Sequence, residues 1–119
     1  MESEGFFALS ITSVASDTLI AKATLTCNPE GGTHPNPTAA CTQLRAVEGR
    51  IEDIPEDPGP CTEEFDPVLV SASGSWRGAQ RRFEKEFSNR CFAVRGTGGV
   101  LFNFDGIDEE LNPQPEPPG

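Results

Sequence analysis

The chain has 119 residues, a formal net charge of −10, 35% apolar residues, 11 prolines and 12 glycines. That length fits one domain able to bury a core. The Pro and Gly content leaves little room for long helices. The charge excludes nucleic acid and anionic membrane as partners, since both require a basic footprint, and no apolar run approaches membrane-spanning length.

Residues 1–5 read as a frayed start. No cleavable signal is visible, because Met1-Glu2-Ser3-Glu4 is acidic and the next apolar run is short. Phe7, Leu9 and Ile11 then alternate with Ala8, Ser10 and Thr12, the pattern of a half-buried strand. Ser16-Asp17 marks a turn. Leu19, Ala21, Ala23, Leu25 and Cys27 share one face of a second strand, with Lys22, Thr24 and Thr26 on the other, and the short connection predicts an antiparallel hairpin. A loop dense in Pro and Gly runs from Asn28 to Pro37. Asn36 is placed as an N-cap and Pro37 as the first helical residue. Apolar spacing through Ala40, Cys41, Leu44 and Val47 predicts a helix over Pro37–Glu48, stopped by Gly49.

Ile51 and Ile54 anchor the start of an acidic stretch carrying Glu52, Asp53, Glu56, Asp57, Glu63, Glu64 and Asp66 and no basic residue. Val68, Val70 and Ala72 alternate with Leu69, Ser71 and Ser73 as a third strand, with Ser73-Gly74 as its hairpin turn. Ala79 to Phe87 alternates again, Phe83 and Phe87 inward and mixed charges outward, where cross-strand ion pairs contribute well under about 1 kcal/mol each. Gly96–Gly99 reads as a flexible loop, and Val100, Phe102 and Phe104 as a last short strand. Residues 105–119, acidic and proline-rich, are expected to be a disordered tail. The domain proper is therefore 6–104.

The 4 cysteines, Cys27, Cys41, Cys61 and Cys91, fit two disulfides and an oxidising compartment, and so a mature, secreted, extracellular chain. Three pairings are open. Local closure favours Cys27–Cys41 with Cys61–Cys91, each contributing roughly 3 to 4 kcal/mol in the chain-entropy model. No Cys-x-x-Cys pair exists and the single histidine, His34, sits among turn residues, so no metal site and no cofactor are expected. The same histidine would have to serve as general base for any Ser-His chemistry. The acidic residues lie on a loop where no burial tunes them. The chain is not read as an enzyme.

Pro58-Gly59-Pro60-Cys61-Thr62-Glu63-Glu64-Phe65-Asp66-Pro67 has neither helical nor strand periodicity. Pro58, Pro60 and Pro67 fix their own φ and push the preceding residues toward extended conformations. The segment reads as an exposed, stiffened loop of the shape a protease accepts as substrate. An inhibitor needs that shape established before binding. A Cys61–Cys91 bond would pin the loop, and Asn89, two residues earlier, would sit beneath it with its amide available to loop carbonyls. Both halves of a cut Glu63–Glu64 bond would then stay in place, favouring religation over hydrolysis.

Cys27-Asn28-Pro29-Glu30-Gly31-Gly32-Thr33-His34-Pro35 and Ala40-Cys41-Thr42-Gln43-Leu44 resemble the signature of the Streptomyces subtilisin inhibitor-like family. Phe65-Asp66-Pro67-Val68-Leu69, Phe87-Ser88-Asn89 before Cys91, and Val100-Leu101-Phe102-Asn103-Phe104 support it. The resemblance implies an α+β fold, a five-stranded antiparallel sheet with two short helices packed on it and a disulfide-tethered reactive loop. It implies the pairs Cys27–Cys41 and Cys61–Cys91, a homodimer formed through the sheets, and a secreted inhibitor of subtilisin-like serine proteases.

By the same resemblance the reactive bond is Glu63–Glu64. Gly59, Pro60, Cys61, Thr62, Phe65 and Asp66 face the protease, and Asn89 and Pro67 support the loop. Family members usually present an apolar or basic residue where this chain has Glu63, so a partner that accepts acidic side chains, such as a glutamyl endopeptidase, is expected. The alternative is a secreted, disulfide-stapled binding domain without inhibitory activity.

Overall fold

The computed structural model describes residues 4–107. Strands β1 (Gly5–Ser13) and β2 (Thr18–Cys27) form the expected antiparallel hairpin. Strand β3 (Val68–Trp76) pairs with the other edge of β1, and β4 (Ala79–Phe87) with β3, both antiparallel. The sheet order is β4-β3-β1-β2-β5, where β5 is only Gly106–Ile107. Helix α1 (Pro37–Ala46), a short 3-10 turn (Ile51–Asp53) and helix α2 (Arg90–Gly96) complete the α+β fold.

The inward residues of the strands and the apolar faces of the helices make one core. Phe7, Leu9, Ile11, Leu25, Leu44, Val70, Trp76, Leu101 and Phe102 are at most 2% exposed. Burial on one face alone explains the alternation in β1, and it leaves Phe6, Ala8 and Ser10 on the opposite, uncovered face. The disulfide Cys27–Cys41 ties the end of β2 to α1 with Cα atoms 5.7 Å apart.

Several expectations are corrected. The sheet is not five antiparallel strands: four are antiparallel, and the fifth runs parallel to β2 over Ala21–Gly106 and Lys22–Ile107. Val100–Phe104 forms no strand. Its backbone turns, with Asn103 N donating to Val100 O, and Leu101, Phe102 and Phe104 all go inward. A strand would send alternate side chains to opposite faces, whereas a turning segment can bury neighbours together.

Leu19 does not share the face of Ala21. A bulge between the pairs Ile11–Ala21 and Thr12–Leu19 adds a residue in β2, which inverts the alternation and leaves Leu19 40% exposed. Ser73-Gly74 is not a turn. Gly74 lies inside β3, where a Cβ would stand 1.8 Å from Phe6 O, so glycine serves close backbone approach there. The turn falls at Arg77-Gly78, both with positive φ (50° and 85°), the backbone twist that two-residue hairpin loops require.

Helix α1 starts at Pro37 as expected but ends at Ala46, two residues short of Glu48, and the Asn36 side chain makes no capping hydrogen bond. The Gly96–Gly99 segment is not a free loop: Gly96 closes α2, and Gly99 N donates to Val94 O. The start of the chain is less frayed than expected, since Gly5 lies in β1 and Glu4 pairs with both Arg45 and Arg77 at 2.8 and 3.0 Å. Residues 105–107, assigned to the tail, approach the sheet edge, and Arg90 donates to Phe104 O and Asp105 Oδ1. The remainder of the expected frayed start (1–3) and tail (108–119) lies outside the described residues.

Candidate functional site

Between the 3-10 turn and β3 the chain runs from Pro55 to Pro67 without regular structure. Proline supplies the reason: Pro55, Pro58, Pro60 and Pro67 lack an N–H and cannot enter a ladder or a helix interior. Thr62, Glu63, Glu64, Phe65 and Asp66 are exposed, Phe65 at 78%, while Cys61 and Pro67 are half-buried.

The loop is held from below by one short element. Helix α2 begins directly after Asn89, whose side chain caps it: Asn89 Oδ1 accepts from Phe92 N at 3.1 Å. The other end of the same amide points at the loop. Nδ2 donates to Thr62 O at 3.1 Å and to Glu64 O at 2.7 Å, the carbonyls on either side of Glu63. Asn89 is 6% exposed, so these bonds are partly buried.

Two residues on, Cys91 is bonded to Cys61, with Cα atoms 5.7 Å apart across 30 residues of chain. The far side of the loop is fixed through backbone: Asp66 N donates to Ser88 O at 2.9 Å, and Val14 N to Pro67 O at 3.0 Å. Thus Cys61, Thr62, Glu63, Glu64, Asp66, Pro67, Asn89 and Cys91 are brought together. Gly59 and Pro60 lie on the approach to Cys61, and Glu63 and Glu64 make no ion pair among the described residues.

Arg95, in the last turn of α2, contacts the approach at Asp57 and Pro58, and sequence reasoning did not single it out. The signal was available. Asn89 is a good N-cap, the residues from Arg90 to Arg95 tolerate a helix, and Cys91 and Arg95 are four apart, hence on one helical face. Reading the glycines at 96–99 as a flexible loop hid it.

His34, discounted as chemistry, is 4% exposed and structural. Its Nδ1 accepts from Asn36 N at 2.9 Å, which leaves the proton on Nε2 to donate to Leu101 O at 3.0 Å. Burial holds its pKa below the ordinary 6.5, against the opposing pull of the Leu101 carbonyl. Among the described residues no group of three or more His, Cys, Asp or Glu is placed to hold a metal ion.

The arrangement presents a peptide bond on a pinned, solvent-facing arc and keeps donors under the carbonyls on both sides of it. The profile of the subtilisin inhibitor-like family matches residues 6–89. Subtilisin inhibitor-like protein 5 of Streptomyces fradiae is 45% identical over 83 residues, 68% of this chain and 77% of that protein. Protease inhibitor SIL-V1/SIL-V4 of Streptomyces netropsis is 42% identical over 94 residues, 76% and 84% of the two chains. Among solved structures, Streptomyces caespitosus sermetstatin, crystallised in complex with Bacillus licheniformis subtilisin, superposes with a TM-score of 0.66 at 28% identity, covering 83% of this chain and 96% of that one. This chain belongs to the subtilisin inhibitor-like family, a family of serine protease inhibitors and not of enzymes.

Proposed function

We propose that the loop around Glu63–Glu64 is a substrate-like bait for a subtilisin-like serine protease, with Glu63 entering the specificity pocket and Glu64 on the leaving side. The observation that carries this is the Asn89 amide, donating to both Thr62 O and Glu64 O across that bond. The protease serine attacks the Glu63 carbonyl, the C–N bond breaks, and the Glu64 amine is released. Held by Asn89 and by the Asp66–Ser88 bond, that amine stays at hand and re-forms the peptide bond as the serine leaves. The Cys61–Cys91 tether keeps the acyl half from swinging away. Preorganisation of this kind is what lets an interface of ordinary size bind tightly. The two closed disulfides support a secreted, extracellular protein.

Specificity follows from Glu63. A carboxylate desolvated in an apolar slot without a partner costs several kcal/mol, and roughly 1.4 kcal/mol is tenfold in affinity. The preferred target is therefore a protease whose pocket accepts an acidic side chain. The test is mass spectrometry of the chain after incubation with subtilisin and with a glutamyl endopeptidase. Slow cleavage confined to Glu63–Glu64, with the complex retained, is expected; fast cleavage at many loop bonds, or no binding to either enzyme, refutes the bait. Glu63→Leu should tighten subtilisin inhibition by at least about tenfold. Weaker inhibition of subtilisin by that variant refutes the acidic preference.

A homodimer is part of the same proposal. The sheet face opposite the helices carries Ala8, Ser10, Lys22, Thr24, Ser71 and Ser73, which line an open depression of about 360 Å³. Small side chains at its centre allow two sheets to approach face to face.

A further inference from the structure

The leg of the loop that enters Cys61 is short of backbone donors, because Pro58 and Pro60 have none. It is fastened by Arg95. Asp57 N donates to Arg95 O at 2.8 Å. In return Arg95 Nη1 reaches Asp57 O at 3.4 Å, Asp57 Oδ2 at 3.3 Å and Pro58 O at 3.4 Å. Next to these, Gly59 leaves the guanidinium its place: a Cβ there would stand 2.2 Å from Arg95 Nη1, and the three nearest atoms all belong to Arg95. Gly59 has no positive φ, so a side chain there would meet no backbone strain and would act by displacing the guanidinium. Arg95 and Cys91 leave α2 one turn apart, so guanidinium and disulfide hold successive points of one leg.

We propose that Arg95 is a positioning residue of the reactive loop, its guanidinium seated over Gly59 and gripping the Asp57 and Pro58 carbonyls so that the leg enters Cys61 in a single orientation. The inference rests on the reading of Glu63–Glu64 as the reactive bond. It gives the helix a third hold on the loop besides Asn89 and Cys91, one that acts only on the acyl half. Without it the leg pivots about the disulfide, the cut Glu63 end samples more positions, and religation slows relative to hydrolysis. The contact is partly exposed, the Arg95 side chain at 34% and Asp57 at 52%, so its effect is moderate.

The experiment compares the full chain with Arg95→Ala, Arg95→Lys, Gly59→Ala and the double variant Gly59→Ala/Arg95→Ala. Each is incubated with catalytic amounts of subtilisin and, separately, of a glutamyl endopeptidase. The readouts are the rate of Glu63–Glu64 cleavage, the equilibrium ratio of cut to intact chain, and Tm. Arg95→Ala and Gly59→Ala should each raise the cleavage rate by about two- to fivefold and shift the ratio toward the cut form, as expected for loss of one partly exposed charged contact. The double variant should be no worse than either single one, because both remove the same contact. Lysine keeps the charge but not the planar group seated over Gly59, and should restore only part of the effect, and Tm should move little.

Additive effects of the two single substitutions overturn the inference, as does an Arg95→Ala chain cut no faster than the parent. If the parent itself is never cut at Glu63–Glu64, the reactive-bond reading falls and this inference with it. A parent cut slowly there, beside an unaffected Arg95→Ala, overturns this inference alone.

Discussion

Asn89 uses the two ends of one amide for two separable purposes. Oδ1 caps α2, and Nδ2 braces the loop. Serine is as good a cap but too short to reach Thr62 O and Glu64 O. Asn89→Ser should therefore keep α2 and lose two partly buried hydrogen bonds of about 1 kcal/mol each. We expect Tm to fall by a few degrees and the Glu63–Glu64 bond to be cut at least about tenfold faster by a protease in excess. Equal cleavage of the parent and Asn89→Ser would show that the amide does not act on the bond. At this scale residue type and spacing marked two things: an extended loop between prolines, and Asn89, two residues before a cysteine, within reach of its carbonyls; the choice of Glu63 came from the family resemblance. The placing of Arg95 on one helical face with Cys91 was within reach of the same reading, but its partner was not, because Asp57 lies 38 residues away in sequence.

Between elements, the turn before α1 is locked to the segment 101–104 by His34, through Leu101 O and an edge-to-face contact with Phe104 at 5.9 Å between ring centres. Protonation would place a second N–H against the Asn36 N–H that Nδ1 now accepts, at a residue only 4% exposed. The folded pKa is lowered by burial, so the unfolded chain binds more protons as pH falls below about 6.5. The contribution of His34 is thus complete above that pH and is lost as the pH drops toward the lower folded value. Urea midpoints at pH 7.5 and pH 5.5 should fall further apart in the parent than in His34→Gln. The substitution itself should cost about 1–3 kcal/mol at the higher pH, for the buried bonds it disturbs. Identical pH dependence in the two chains would remove His34 from this role.

Elements also differed in how plainly they announced themselves. Helix α1 had Pro37 at its start and apolar residues at helical spacing, and it formed. Helix α2 is only 7 residues long and is held by its cap, a disulfide and side-chain contacts, signals a periodicity reading does not register.

For the whole molecule, the covered and uncovered faces of the sheet are the governing asymmetry. One face is sealed by both helices and the turn at 100–104. The other presents small and hydroxylated side chains with Lys22 at one side. If two copies meet there, a charge at its centre breaks the contact. Ser73 is exposed and opposite Arg82, so Ser73→Glu gains a cross-strand ion pair within the monomer while placing a carboxylate in the proposed interface. Sedimentation should give a dimer for the parent at micromolar concentration and a monomer for Ser73→Glu, with its secondary structure unchanged. A monomeric parent would refute the dimer.

By itself the amino-acid sequence determined what depends on neighbours a few residues apart. Alternation in 7–11 and 68–72 makes half-buried strands, proline keeps 58–67 out of any ladder, and an even set of cysteines closes into two bridges. The tertiary structure decided what depends on residues that meet only on folding. The bulge that turned Leu19 outward reflects how β1 and β2 fit together, and Gly74 stays inside a strand because Phe6 O presses against it. Leu101, Phe102 and Phe104 turn instead of alternating because the space beneath the sheet takes them all on one side. The fastening of the loop by α2 belongs here as well: steric and hydrogen-bond constraints between distant segments exist only once the core has brought those segments together.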